Sequence, residues 1–139
     1  MLLDENAVVS HVCSALRSSG WAIDRYANTS QAGVDIIASR NGRRLYAEAK
    51  GVTSSKSASA RFGMLQTSSQ IFIQVAAALL KTAEFRSRYP TDEVVIAVPE
   101  HSTMRSRIVG IEPVLKNAQI GVLWVSDDGE VTSWNTTAL

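Results

Sequence analysis

The chain has 139 residues, 45% of them apolar and 19% charged, which predicts one globular domain over residues 1–139 and excludes a disordered majority. The single cysteine, Cys13, excludes an intrachain disulfide, and the absence of a cysteine or histidine cluster argues against a structural zinc site. No apolar run is long enough to cross a bilayer and the first residues carry no basic segment, so we expect a cytoplasmic protein without a membrane partner.

The formal net charge is only +1, but it is unevenly distributed. Residues 117–139 contain no lysine or arginine, whereas residues 40–61 hold six basic residues and one acidic residue, Glu48. A basic segment can steer a polyanion, and it can equally be a solvated loop surface. The four side chains that we predict to contact nucleic-acid phosphates are Arg43, Arg44, Lys56 and Arg61.

The first half of the chain predicts a helix followed by three strands. Apolar residues at helical spacing predict a helix over Asp4–Ser19, with Asp4 as its N-cap. A strand is predicted over Trp21–Tyr26. Two more, Gly33–Arg40 and Arg43–Lys50, flank an Asn-Gly pair, the strongest short-range signal for a hairpin with a type I′ turn.

The second half predicts alternating helices and strands after a serine-rich loop over residues 51–63. The predicted elements are a helix over Ser68–Arg88, a strand over Val94–Val98, a helix over Ser102–Ala118 split or strained at Pro113, a strand over Ile120–Val125 and a last strand through Trp134. The order α-β-β-β-α-β-α-β-β predicts an α/β fold in which helices cover a central mixed sheet.

The hairpin register brings two carboxylates together. A two-residue turn at Asn41-Gly42 places Asp35 opposite Glu48, with about 5 Å between their Cβ atoms, where like charges repel. A divalent cation would relieve the repulsion, and Mg²⁺ is usually held by one or two carboxylates plus phosphate and water. Lys50 shares the face of Glu48 on a strand whose other face is apolar, so a half-buried strand is expected. The alternative is an ordinary exposed pair neutralised by Lys50 and Arg44.

Two further residues are candidates for the same site. Glu5 lies on the apolar stripe of the first helix and is a possible metal ligand, or it interacts with the helix dipole in the first turn. Gln70 begins the long helix on a polar stripe, and with Thr67 it also fits a capping box. For each residue the local sequence is compatible with both a role in the site and a purely structural role in its helix.

The segments GVDIIA (Gly33–Ala38) and EAK (Glu48–Lys50) resemble the PD-(D/E)xK nuclease superfamily, which has the restriction-endonuclease-like fold. Within it the arrangement is similar to Mrr-like restriction enzymes and archaeal-type Holliday-junction resolvases. The resemblance covers Asp4 to about Leu80 and departs from the name-giving motif at Val34, where that motif has proline.

The resemblance implies a three-layer fold and a Mg²⁺-dependent (or Mn²⁺-dependent) endonuclease that hydrolyses DNA. It implies Asp35 and Glu48 as metal ligands, Lys50 as the catalytic lysine, Glu5 as the first-helix carboxylate of the metal site and Gln70 as a further catalytic residue. Two alternatives remain open: a catalytically silent module that binds nucleic acid or a protein on the same fold, and a nuclease directed at RNA. DNA is the expected partner, and a homodimer is a candidate assembly.

Overall fold

The computed structural model describes residues 2–26, 33–54 and 63–139, and its middle layer is a mixed six-stranded sheet. The strands are β1 (Ala22–Tyr26), β2 (Ile36–Arg40), β3 (Arg43–Ala49), β4 (Glu93–Pro99), β5 (Ile120–Val125) and β6 (Val131–Trp134). They lie side by side in chain order. β1, β2 and β3 pair antiparallel, β3, β4 and β5 pair parallel, and β6 pairs antiparallel with β5.

Helices cover both faces of the sheet. The described helices are α1 (Glu5–Ser18), α2 (Ser68–Arg88), α3 (Ser102–Val109) and α4 (Glu112–Ala118). Buried residues of α1 form one core with the sheet, and those of α2, α3 and α4 form a second core on the opposite face. The three-layer α/β architecture expected from the sequence is therefore confirmed.

Local signals in the sequence explain several element boundaries. Asn41 and Gly42 have φ values of 52° and 79°, as a type I′ turn requires, and Arg40 pairs with Arg43 across it. Asp4 caps α1 by accepting a hydrogen bond from the Ala7 N–H at 2.8 Å. The predicted third helix is indeed divided, and Pro113 lies in the first turn of α4, where proline is tolerated.

The expectation that β3 is half-buried is wrong. Tyr46 and Glu48 on its polar face are as buried as Leu45 and Ala47 on its apolar face. β3 lies inside the sheet and pairs parallel with β4, and the chain that joins these two strands includes α2, which covers the second face. The site residues of β3 are consequently enclosed by α2.

Within the described residues no helix is long and apolar enough to span a membrane.

Candidate active site

The predicted juxtaposition of Asp35 and Glu48 is present at one end of the β2–β3 hairpin. Ile36 pairs with Ala47, so Asp35 and Glu48 occupy the next opposed positions. Asp35 is 7% exposed and Glu48 is 1% exposed. The backbone N–H of Ala49 donates to Oδ2 of Asp35 at 2.8 Å, which fixes the aspartate against the end of β3. Two acidic side chains thus share a space that is nearly closed to solvent.

Two lysines approach one oxygen of Glu48. The Nζ atoms of Lys50 and Lys81 both lie 3.6 Å from its Oε1. Its Oε2 atom is buried and has no hydrogen-bond partner among the described residues. A buried acceptor without a donor is costly, typically about 1–3 kcal/mol, so this oxygen does not stabilise the fold by a hydrogen bond of its own.

The environment of Glu48 disfavours its ionised form. Burial, then the neighbouring Asp35 carboxyl, raises the pKa of Glu48 to about 7, although Lys81 and Lys50 oppose the rise. Because desolvation and a like charge both penalise the carboxylate, a cation between the two acids would remove much of that cost. The electrostatics therefore favour a positively charged ligand at this position.

Glu5 lies beside this pair because α1 begins where β3 ends. A Cβ atom at Gly51 would lie only 2.5 Å from the Glu5 backbone nitrogen, so this close approach requires glycine. Val52 donates its N–H to the Leu3 carbonyl at 3.0 Å and holds the two segments together. The pKa of Glu5 is raised, mainly by burial and then by Asp35, while Lys50 and Lys81 act in the opposite direction. The first helix therefore contributes a carboxyl group to the electrostatics of the site.

The residues present fit a divalent cation as a two-carboxylate site. Among residues 2–26, 33–54 and 63–139, no three acidic, histidine or cysteine side chains form a set that could hold a metal ion. Asp35 and Glu48 are thus a pair, and direct ligation by Glu5 stays a prediction. Mg²⁺ commonly uses one or two carboxylates and takes its other ligands from phosphate and water, which suits the unpartnered Glu48 oxygen.

Gln70 forms the capping box that the sequence indicated. Its Oε1 accepts from the Thr67 N–H at 2.8 Å, and its own N–H donates to Thr67 Oγ1 at 3.2 Å. The residue is exposed at the start of α2. The structural interpretation is confirmed, and a catalytic role for Gln70 stays a prediction.

The arginines predicted to bind phosphate are not brought to the carboxylates. Arg43 and Arg44 begin β3, so about 13–17 Å of strand separates them from Glu48. Arg43 donates to Glu93 Oε2 at 2.9 Å and to the Thr91 carbonyl at 3.0 Å. The predicted contacts at Lys56 and Arg61 lie outside the described residues.

Lys81 is the site residue that sequence reasoning did not assign. Its polar stripe on α2 also contains Gln74 and Arg88, and that stripe was the available signal. The pattern indicated which side of α2 was polar, but only the packing of α2 on β3 places Lys81 against Glu48.

No family model matches this chain, and no curated protein sequence is similar to it. Crystal structures that resemble it include the following two. An XisH family protein from Nostoc punctiforme PCC 73102 is 20% identical, with a TM-score of 0.55 over 92% of this chain and 98% of that one. A FdxN element excision controlling factor protein from Anabaena variabilis is 24% identical, with a TM-score of 0.49 over 94% and 99%. The first similarity supports the three-layer α/β fold over nearly the whole chain.

Proposed function

We propose that this protein is a metal-dependent endonuclease that hydrolyses phosphodiester bonds of DNA. The observation that carries the proposal is the buried Asp35–Glu48 pair with one unpartnered carboxylate oxygen and two adjacent lysines. A structural role accounts for Asp35 as the acceptor of the Ala49 N–H, but it does not account for burying Glu48 beside it at a further desolvation cost. DNA is the proposed substrate because GVDIIA and EAK resemble the PD-(D/E)xK nucleases.

Asp35 and Glu48 would hold Mg²⁺ or Mn²⁺, with Glu5 close enough to add negative charge. Such an ion polarises a phosphate and lowers the pKa of a coordinated water. The hydrogen bond from Ala49 keeps Asp35 oriented, so the acid need not reorganise when a substrate arrives.

Lys50 and Lys81 supply positive charge on the other side of Glu48. Lys50 is anchored at the end of β3, where its backbone N–H donates to the Ala97 carbonyl at 3.0 Å. We assign to its ammonium group, which lies 3.6 Å from Glu48 Oε1, the role of orienting the attacking water and of stabilising charge that develops on the phosphate. Lys81 is 45% exposed and comes from α2, so it can approach a bound phosphate from the helix side.

The test is cleavage of supercoiled, linear, branched and single-stranded DNA, and of RNA, with Mg²⁺, Mn²⁺ or EDTA. We expect metal-dependent nicking of DNA by the wild-type protein and none by Glu48→Gln. Glu130→Gln is a matched control, because Glu130 is an exposed carboxylate next to β6, which is three strands away from β3 in the sheet.

Three results would redirect the proposal. DNA binding without cleavage under any metal condition would identify a silent binding module. Cleavage confined to RNA would change the substrate class. Equal activity of the wild-type and Glu48→Gln proteins would show that the buried pair is not the catalytic centre.

A further inference from the structure

Lys50 and Lys81 approach the same oxygen of Glu48 from different parts of the fold. Each Nζ atom lies 3.6 Å from Oε1, while Oε2 has no hydrogen-bond partner among the described residues. Two ammonium groups beside one oxygen repel each other, so this arrangement depends on the negative charge around it. That charge comes from Glu48, Asp35 and Glu5, and both lysines act to lower the pKa of Glu48 and of Glu5.

The two lysines differ in how easily each can leave Glu48. Lys50 directly follows β3, its backbone N–H donates to the Ala97 carbonyl at 3.0 Å, and its side chain is only 14% exposed. Lys81 comes from the second half of α2, and its side chain is 45% exposed. A change of side-chain rotamers therefore takes the Lys81 ammonium group into solvent without movement of the backbone. Departure from Glu48 costs less for Lys81 than for Lys50.

A divalent cation held by Asp35 and Glu48 would compete with Lys81 for the same carboxylate. The cation carries the charge of two ammonium groups, so it removes most of the attraction that keeps Lys81 beside Glu48 and adds repulsion. In the metal-free protein, Lys81 thus supplies part of the positive charge that the cation would bring. When the cation binds, the more exposed of the two lysines yields.

A displaced Lys81 stays close to the site. Buried Ala78 and Thr82, on either side of it along α2, fix this part of the helix, so the ammonium group moves only within the reach of its own side chain. A lysine ammonium group is a compact point charge that suits a phosphate oxygen. A phosphodiester that approaches the cation therefore meets the lysine that the cation has released.

We infer that Lys81 is the counter-ion of Glu48 in the metal-free protein, that a divalent cation displaces it, and that the released ammonium group binds a phosphate of the DNA. Lys81 thereby makes metal binding and DNA binding strengthen each other, and linkage requires the effect to be equal in both directions. The inference rests on the proposed metal site and adds to it how metal binding prepares the site for DNA.

Metal affinity in the absence of DNA tests the competition. Calorimetric titration with Mn²⁺ compares the wild type with Lys81→Met, which keeps an unbranched apolar side chain without the charge. We expect Lys81→Met to bind Mn²⁺ roughly five- to tenfold more tightly, and Lys81→Arg to stay near the wild-type affinity. Lys116→Met is the matched control, because Lys116 is exposed on α4, and it should bind as the wild type does. Equal or weaker binding by Lys81→Met would overturn the competition.

The movement of the ammonium group can be observed directly. The chain has four lysines, and reductive methylation with ¹³C-labelled formaldehyde gives each an NMR signal while keeping its positive charge. The signal that disappears in Lys81→Arg belongs to Lys81. On addition of Ca²⁺ it should move toward the position of the exposed Lys116 signal. A Lys81 signal that does not approach that position while the metal binds would overturn the displacement.

DNA affinity with Ca²⁺ or with EDTA tests the coupling. Ca²⁺ is chosen to keep the DNA intact, and fluorescence anisotropy measures the affinity. We expect Ca²⁺ to strengthen DNA binding of the wild type by about tenfold or more, and the gain to be several-fold smaller in Lys81→Met. A gain of equal size in the two proteins would overturn the contact between Lys81 and DNA.

The inference and the proposed function fail in different ways. A protein that cleaves DNA with Mg²⁺, but whose Lys81→Met variant keeps the wild-type metal affinity and the wild-type gain, overturns the inference and leaves the nuclease proposal standing. Identical Mn²⁺ titrations of the wild type and Glu48→Gln, together with no cleavage, would overturn both.

Discussion

The β2–β3 hairpin contains two pairs of like charge, and the protein treats them differently. At the turn, Arg40 and Arg43 are opposed, but each has its own partners. Arg40 donates to the Ser19 carbonyl at 2.8 Å and lies over the Trp21 ring, whereas Arg43 pairs with Glu93. Their repulsion is relieved within the fold.

At the other end of the hairpin, Asp35 accepts from the Ala49 N–H and two lysines approach Glu48, yet burial and Asp35 together still raise the pKa of Glu48 to about 7. Both acids are buried, and one oxygen of Glu48 has no donor among the described residues. A fold that separates two arginines by giving them separate partners has left two carboxyl groups together. The proposed function explains the difference by a cation bound between the two acids, and the predictions below test that contrast from the largest expected effect to the smallest.

Lys50→Ala should reduce DNA cleavage by roughly a hundredfold or more, because the proposed role of Lys50 is to stabilise transition-state charge. DNA affinity and melting temperature should change little. Cleavage kinetics and fluorescence anisotropy measure both quantities. Lys116→Ala, on the exposed face of α4, is a matched control and should retain full activity. An active Lys50→Ala protein would remove Lys50 from the mechanism.

Lys81→Ala should lower the cleavage rate by about tenfold, equivalent to about 1.4 kcal/mol of barrier. The expected loss is smaller than for Lys50 because Lys81 is more exposed. Lys81→Arg keeps the charge and should restore part of the rate in single-turnover assays. Unchanged kinetics in both variants would show that Lys81 only forms an ion pair with Glu48 and does not contribute to catalysis.

Glu48→Gln should stabilise the metal-free protein at pH 8. The folded-state pKa of about 7 exceeds the ordinary 4.5, so ionising Glu48 costs stability as the pH rises through this interval. Glutamine avoids that cost, and we expect a gain on the order of 1 kcal/mol at pH 8 that disappears near pH 4.5. Urea unfolding in EDTA at both pH values measures it.

Arg40→Gln is the counterpart at the turn and should have the opposite sign. It removes hydrogen bonds to the Ser19, Thr137 and Ala138 carbonyls, so unfolding should become easier at both pH values. If Glu48→Gln destabilises as Arg40→Gln does, the acidic pair contributes to stability and the contrast fails.

Gln70→Ala should cost about 1 kcal/mol of folding stability by losing half of the capping box. Gln70→Glu can still accept from the Thr67 N–H and should remain stable. Thermal melts of both variants test the cap, and cleavage rates test the catalytic prediction. A Gln70→Glu protein that is stable but inactive would support a role in the site, whereas a fully active one would confine Gln70 to capping.

Arg44→Gln should have the smallest effect, a loss of a few-fold in DNA affinity. One lost phosphate contact reduces the slope of log affinity against log salt by about one unit. Titrations at several salt concentrations measure the slope. An unchanged slope would show that the DNA-binding surface does not include Arg44 and is confined to the end of the hairpin that carries Asp35 and Glu48.

Local signals were sufficient for most of the fold and for the Asp35–Glu48 pair at the centre of the candidate site. The Asn-Gly turn fixed the register, and the register placed Asp35 opposite Glu48 without knowledge of tertiary structure. The double burial of β3 and the approach of Lys81 could not be predicted in this way. Both depend on how α2 packs across the sheet, and Lys81 is separated from Glu48 by residues whose path the sequence does not specify.

The close contact between Gly51 and the start of α1 has a consequence for the order of folding. The β2–β3 hairpin can form early because its contacts are local, whereas Glu5 reaches the site only when the first residues of the chain pair with Val52 and Thr53. That pairing joins segments about 50 residues apart, so its loop-closure entropy must be overcome late. We therefore expect Asp35 and Glu48 to come together before Glu5 joins them. Full assembly of the site then coincides with completion of the native fold.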